Sequence, residues 1–267
     1  MDRYSPMVRR EIGSIVDPLL SGLHAILGEA FVGFYLEGSL ALGDFDDASD
    51  IDFVAVTRAP VDESLFDRLR TLHDELSRLD SRLALDLEGF YVSPEMLRRI
   101  GHAAMKVPNL ERGRGERLKW APLWASWIIH QSIVRDAGIA LVGPPPVDLI
   151  DPIEPVDLKR ATGAILGEWG GVILAEPERA AQPGYQPYIV LTICRLLYTI
   201  EWGRVTSKRQ AAEWAATAVD ERWRSLIRTA WVERRPDPVP VNLAFVEPTL
   251  EFVRMALQRS RNDAPDE

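Results

Sequence analysis

The stretch "EGSLALGDFDDASDIDFVAVT", residues 37–57, sets a Gly-Ser pair ten residues ahead of Ser-Asp-Ile-Asp, and the acidic pair runs straight into Phe-Val-Ala-Val. In a strand, residues two apart project to one face, separated by roughly 6–7 Å at a rise of about 3.3 Å per residue. Asp50 and Asp52 therefore point together, while Ile51 turns to the core. Two carboxylates so placed repel each other unless a cation sits between them. Oxygen-only ligands suit Mg²⁺, which keeps some waters and takes its other ligands from a substrate's phosphates. Gly38-Ser39 offers those phosphates a closely approachable backbone and a hydroxyl, and Ser49 offers a second hydroxyl. The pattern points to a metal-bound triphosphate site. In-line phosphoryl or nucleotidyl transfer gains most from two metals about 3.5–4 Å apart, which asks for a third carboxylate on a neighbouring strand. "LALDLEGFYVS", residues 83–93, supplies Asp86 and Glu88 on one face of its strand, so geometry alone leaves both open.

Outward from this motif, apolar residues at helical spacing over 6–27 predict a helix stopped by Gly28. "FVGFYLEGS" reads as a strand ending in a turn, and "IDFVAVT" as the strand after the acidic pair. "DESLFDRLRTLHDELSRL" has Leu65, Leu69, Leu72, Leu76 and Leu79 on one face and predicts a helix. With the strand at 83–93, the order is helix, strand, strand, helix, strand: a mixed sheet carrying helices. Residues 94–120 show no clear period and read as a loop region with a short helix or two. "WASWIIHQSIVRDAG" reads as a helix ending at Gly138, and "IALVGPPP" as a short strand followed by a stiff proline linker. Five amphipathic segments follow: "DLKRATGAILGEWGGVIL", "QPYIVLTICRLLYTIEWG", "SKRQAAEWAATAV", "ERWRSLIRTAWVER" and "EPTLEFVRMALQRS". They make a helical bundle with a polar tail from Asn262. The expected class is α+β, with one domain over residues 1–150 and an all-α domain over 151–267.

The chain of 267 residues carries a formal net charge of −9, which argues against nucleic acid or an anionic membrane as partner and suits a cationic one. The single cysteine, Cys194, excludes an internal disulfide and reads as a small hydrophobe in a helix. The N-terminal residues lack a signal-peptide apolar run, and no segment approaches the ~18 apolar residues of a membrane span. The expected protein is a cytoplasmic monomer. His24, His73, His102 and His130 show no metal spacing and read as surface or packed residues. Arg195 lies in an apolar stretch and needs a partner. Lys208 stands at a helix start, where a lysine opposes the helix dipole, so a ligand-facing role suits it.

"GSLALGDFDDASDID" resembles the Gly-Ser, Asp-x-Asp signature of the polymerase beta type nucleotidyltransferases. "IALVGPPP", "DPIEPVDL", "VLTICRLLYT" and "GRVTSKRQAAEWA" are similar to the linker and helical domain of the aminoglycoside (3'')(9) adenylyltransferases, which modify streptomycin and spectinomycin. The resemblance implies an N-terminal nucleotidyltransferase domain and transfer of AMP from Mg-ATP, with two Mg²⁺ ions, to a hydroxyl of a small cationic antibiotic. Asp50, Asp52 and Glu88 would then be the metal and catalytic residues. Glu88, favoured over Asp86, falls at that family's general base. Gly38, Ser39, Ser49, Arg195, Lys208 and Trp231 would bind the nucleotide, expected between the two domains. Trp231 replaces a usual tyrosine. Ala181 and Tyr185 stand where the streptomycin-modifying enzymes carry acidic residues before the "VLT" helix. Trp120, Trp124 and Tyr185 are the candidate acceptor contacts. Two other readings are another small metabolite as acceptor and a nucleotide-binding regulator without turnover.

Overall fold

A computed structural model describes residues 4–98, 105–111, 116–235 and 240–262. It divides into two compact units, Met1–Phe45 with Ser49–Pro152, and Asp46–Ala48 with Ile153–Glu267.

The first unit begins with α1 (Pro6–Leu27), capped by Ser5, whose Oγ accepts from Val8 N–H, and ended by Gly28 at φ +53°. β1 (Phe31–Leu36) follows, then α2 (Gly38–Leu42) and β2 (Ile51–Thr57). The Gly-Ser pair, read from the sequence as the turn that ends this strand, opens the short helix α2. Tyr4 Oη donates to Leu40 O at 2.7 Å and ties that turn to the start of α1. α3 (Glu63–Leu76) is capped by Asp62, whose carboxylate accepts from Leu65 N–H at 2.8 Å. Next come α4 (Arg82–Leu85), β3 (Leu87–Val92), α5 (Pro94–Arg98), β4 (Lys106–Leu110), β5 (Lys119–Pro122), α6 (Trp127–Ala137) and β6 (Ile139–Val142).

Two features differ from the sequence reading. Residues 83–85 are helical because Leu83 and Ala84 are buried and Asp86 N–H closes a turn onto Arg82 O, so Asp86 precedes β3 and does not share a strand face with Glu88. The stretch 94–120, expected as loop and short helix, contributes two strands. Residues 99–104 and 112–115 of that stretch lie outside the described residues.

Among the described residues the sheet has six strands in the order β5-β4-β3-β2-β1-β6. The pair β2–β3 is parallel and the other neighbours are antiparallel. Alternation along β1 and β2 sorts the core. Phe34, Leu36, Phe53 and Ala55 face a layer with Ile12, Leu19, Leu23, Phe66 and Leu69 from α1 and α3. Tyr35, Val54 and Val56 face the opposite layer, with Trp127 and Val134 from α6. Gly89 is required by this packing, since a Cβ there would lie 2.5 Å from the Phe53 ring.

The second unit contains α7 (Pro155–Ala175), α8 (Tyr185–Trp202), α9 (Lys208–Ala218), α10 (Arg224–Glu233) and α11 (Val246–Asn262). α8 is the central helix and packs against each of the other four. Its buried run includes Ile189, Val190, Leu191, Ile193, Cys194, Leu196 and Leu197. Burial holds the Cys194 thiol well above its ordinary pKa, which makes it packing material and not a nucleophile. The tail 263–267 lies outside the described residues. Among the described residues no helix is long and apolar enough to cross a membrane.

Candidate active site

The parallel register of β2 and β3 sets Asp52 directly beside Glu88, between the pairs Ile51–Leu87 and Phe53–Gly89. Paired residues of parallel strands share a face, so both carboxylates lie on the side of Val54 and Phe90, which is the α6 side. Asp50 stands just before β2, and all three carboxylates are half-buried. Glu37 continues the same alternation from Tyr35, and its N–H donates to Asp52 O at 2.9 Å.

Gly38 sits at φ +58°, and a Cβ there would lie 1.9 Å from Asp52 Oδ2. Only glycine lets the chain pass this close to the carboxylate and take the left-handed conformation. Ser39 follows at the start of α2. Its Oγ is buried and has no hydrogen-bond partner among the described residues. A buried hydroxyl without a partner costs about 1–3 kcal/mol, which a bound acceptor or donor would recover. Ser49 is buried immediately ahead of the acidic pair.

Asp86, the other carboxylate that the sequence offered, is committed elsewhere. Its Oδ2 lies 2.6 Å from Arg82 Nη1. Arg82 also donates from both terminal nitrogens to Ser49 O, each at 3.1 Å. The i, i+4 spacing of Arg82 and Asp86 was the available signal, but its link to Ser49 spans two separate segments and was not legible. A second feature absent from the sequence reading is Glu37, 2% exposed, whose carboxylate accepts from His130 Nδ1 at 2.9 and 3.0 Å. His130 is thus a packed residue with a charged partner, and its ring lies against Phe90 and Trp127. The buried His73, 2.7 Å through Nε2 from Tyr91 Oη, is a core residue whose pKa burial lowers to about 4, against the raising influence of Asp74.

The remaining candidates fall at separate places. Trp120 stacks on Phe66 with ring centroids 4.9 Å apart and packs against the core, whereas Trp124 is 61% exposed. In the second unit, Arg195 is half-buried on α8, and its guanidinium makes no hydrogen bond or ion pair among the described residues. Lys208 opens α9 behind the N-cap Ser207. Trp231 on α10 lies under two guanidiniums, Arg209 at 5.0 Å and Arg234 at 5.2 Å from its ring centre. Tyr185 begins α8 and its ring tilts against Tyr188, which in turn meets Trp169 edge-on.

Among the described residues, no three His, Cys, Asp or Glu side chains converge closely enough to hold a metal by themselves. The donors present do fit Mg²⁺. They are carboxylate oxygens beside a glycine cradle and an orphan hydroxyl, suited to an ion that completes its shell from phosphate and water.

Comparison with known proteins agrees with this architecture. Residues 26–94 match the family model described as a nucleotidyltransferase domain, and residues 148–244 match the C-terminal domain of aminoglycoside adenylyltransferases. An aminoglycoside (3'')(9) adenylyltransferase of Escherichia coli is 28% identical over 123 residues, which span 45% of this chain and 44% of that protein. The match to the corresponding Rhizobium radiobacter protein, at 26% identity, likewise spans under half of each chain, 47% and 45%. A spectinomycin 9-adenylyltransferase of Staphylococcus aureus is 26% identical over 200 residues, covering 71% of this chain and 72% of the relative. A spectinomycin adenyltransferase from Enterococcus faecialis, solved with ATP and spectinomycin, shares the fold at a TM-score of 0.72 and 16% identity. That likeness covers 92% of this chain and 98% of the other. The α+β class and the resemblance expected from the sequence are borne out.

Proposed function

We propose that this chain, in which a nucleotidyltransferase domain precedes an aminoglycoside adenylyltransferase C-terminal domain, transfers AMP from Mg-ATP to a hydroxyl of a small cationic aminoglycoside-like acceptor. The observation that carries the reading is the buried Ser39 Oγ, unpartnered among the described residues, beside a glycine pressed against Asp52, itself in register with Glu88.

Each residue has a distinct part. Ser39 and Ser49 hold phosphate oxygens, and Gly38 lets the backbone approach them. Asp50 and Asp52, with Glu88, hold Mg²⁺, which when bound offsets charge on the phosphates. Glu88 takes the proton of the acceptor hydroxyl as its oxygen bonds to the α-phosphorus. The bond from that phosphorus to the bridging oxygen breaks, and pyrophosphate leaves with the electron pair. The resemblance further assigns Arg195, which has no hydrogen-bond or ion-pair partner among the described residues, and Lys208 to the triphosphate, and Trp231 to the base. The net charge of −9 favours approach of a cationic acceptor.

One observation supports a second acceptor class, another small hydroxylated metabolite. Before α8, where the streptomycin-modifying enzymes carry acidic residues, this chain has the exposed Ala181 and the aromatic Tyr185.

The test is Glu88→Gln. It keeps metal-free ATP binding and lowers turnover by about 10²–10⁴-fold if Glu88 is the general base. Turnover at the wild-type rate would remove Glu88 from that role.

A further inference from the structure

We infer that Arg82 and Asp86 form a positioning clamp that sets Asp50 against Glu88, so that Asp86 serves the metal-nucleotide site without touching it. The inference rests on the proposed nucleotidyltransferase reading.

Asp50 lies between two backbone groups that both report to this pair. On one side, Ser49 O accepts from Arg82 Nη1 and Nη2, each at 3.1 Å. On the other, Ile51 N–H donates to Asp86 O at 3.2 Å, and Asp86 N–H donates to Arg82 O at 3.0 Å. The contact between Arg82 Nη1 and Asp86 Oδ2, 2.6 Å, closes the ring. Its two side chains are 25% and 8% exposed, so the pair is shielded from water more than a surface salt bridge is.

The consequence is geometric. Glu88 stands two residues beyond Asp86, and Asp50 stands between Ser49 and Ile51. One planar guanidinium therefore reaches both segments, and the offset between them is fixed where the two strands begin. The fork suits arginine in particular, because a lysine ammonium cannot present two parallel donors to one carbonyl while also meeting a carboxylate. This also explains why two acidic residues sit two apart at the entry of β3 and only one faces the site: Asp86 is the carboxylate that meets Arg82.

A merely stabilising pair and a positioning clamp differ in what they change. The experiment is calorimetric titration of ATP into wild type, Arg82→Lys, Asp86→Asn and the double variant, each with and without Mg²⁺, with thermal melts alongside. In wild type, Mg²⁺ should raise ATP affinity by about tenfold or more. Both single variants should keep metal-free ATP affinity within about twofold and lose most of the Mg²⁺-dependent gain. The double variant should be no worse than either single one, as expected for partners in one ring. Asp86→Asn keeps the shape and a side-chain oxygen, and it carries the test if Arg82→Lys does not fold. A wild-type gain that survives in the variants would overturn the clamp. A proportional fall of metal-free and metal-bound affinity that follows the melting temperature would overturn it too. A wild type with no Mg²⁺-dependent gain would instead overturn the nucleotidyltransferase reading.

Discussion

Towards the C-terminal ends of β2 and β3 the polar groups are sealed in pairs. His73 Nε2 lies 2.7 Å from Tyr91 Oη, and Thr57 Oγ1 donates to Ala59 O at 2.7 Å. At the N-terminal ends of the same two strands lie the half-buried Asp50, Asp52 and Glu88, and Ser39 Oγ is buried without a partner among the described residues. The strands are continuous, yet one end closes its polar groups onto the core, whereas the other carries half-buried carboxylates beside a buried hydroxyl that meets no partner among the described residues. Substitutions at the two ends should therefore separate stability from activity.

Asp52→Asn gives the largest effect. It should lower pyrophosphate release from Mg-ATP by roughly 10³-fold, since metal-borne charge stabilisation is worth several kcal/mol and each 1.36 kcal/mol is tenfold in rate. Far-UV circular dichroism should stay unchanged, and a fall in activity matched by unfolding would erase the contrast between the two ends. Gly38→Ala comes next. The new Cβ would press on Asp52 Oδ2 at 1.9 Å and sit at φ +58°. It should cost about 1–2 kcal/mol of stability, and about 10²-fold in turnover from the displaced carboxylate.

At the sealed end, the neutral His73 makes stability depend on pH. Its folded pKa of about 4 lies below the ordinary 6.5, so the unfolded chain binds the extra proton first. The contribution is fully present above pH 6.5, is lost as pH falls towards 4, and amounts to ~3 kcal/mol in all, of which ~2 kcal/mol is gone by pH 5. Urea unfolding at pH 7.5 and pH 5 should show that loss in wild type and a loss smaller by this amount in His73→Gln. Equal losses in the two proteins would contradict the assignment.

Ser39→Ala has the smallest effect and the most telling sign. Removing a hydroxyl that has no partner among the described residues should leave stability unchanged or raise it by up to ~1 kcal/mol, while the KM for ATP rises about five- to tenfold. A destabilised variant with an unchanged KM would make Ser39 a structural residue.

Much of this contrast could be read in the chain, and the part that could not has a physical cause. α1 and α3 announce themselves by an apolar period, and α1 and α6 by the stops at Gly28 and Gly138. The Asp50–Asp52 pair shows because it leads straight into a buried apolar run, although only Asp52 lies within β2. β4 and β5 were missed because they span only five and four residues, one of them interrupted by Pro108, and pairing across the sheet outweighs their weak local preference. Asp86 and Glu88 looked equivalent because their local pattern is the same. The helical turn at Arg82–Leu85 and the reach of Arg82 to Ser49, 33 residues away in sequence, separate them. The Glu37–His130 pair escaped for the same reason, since its partners are 93 residues apart.

The most direct test is acceptor-dependent pyrophosphate release from Mg-ATP, with spectinomycin, streptomycin and other aminoglycosides supplied one at a time. The account predicts release with at least one of them and none from Asp50→Ala under the same conditions. Mg-ATP bound by wild type with no release for any acceptor, or equal release from Asp50→Ala, would contradict it.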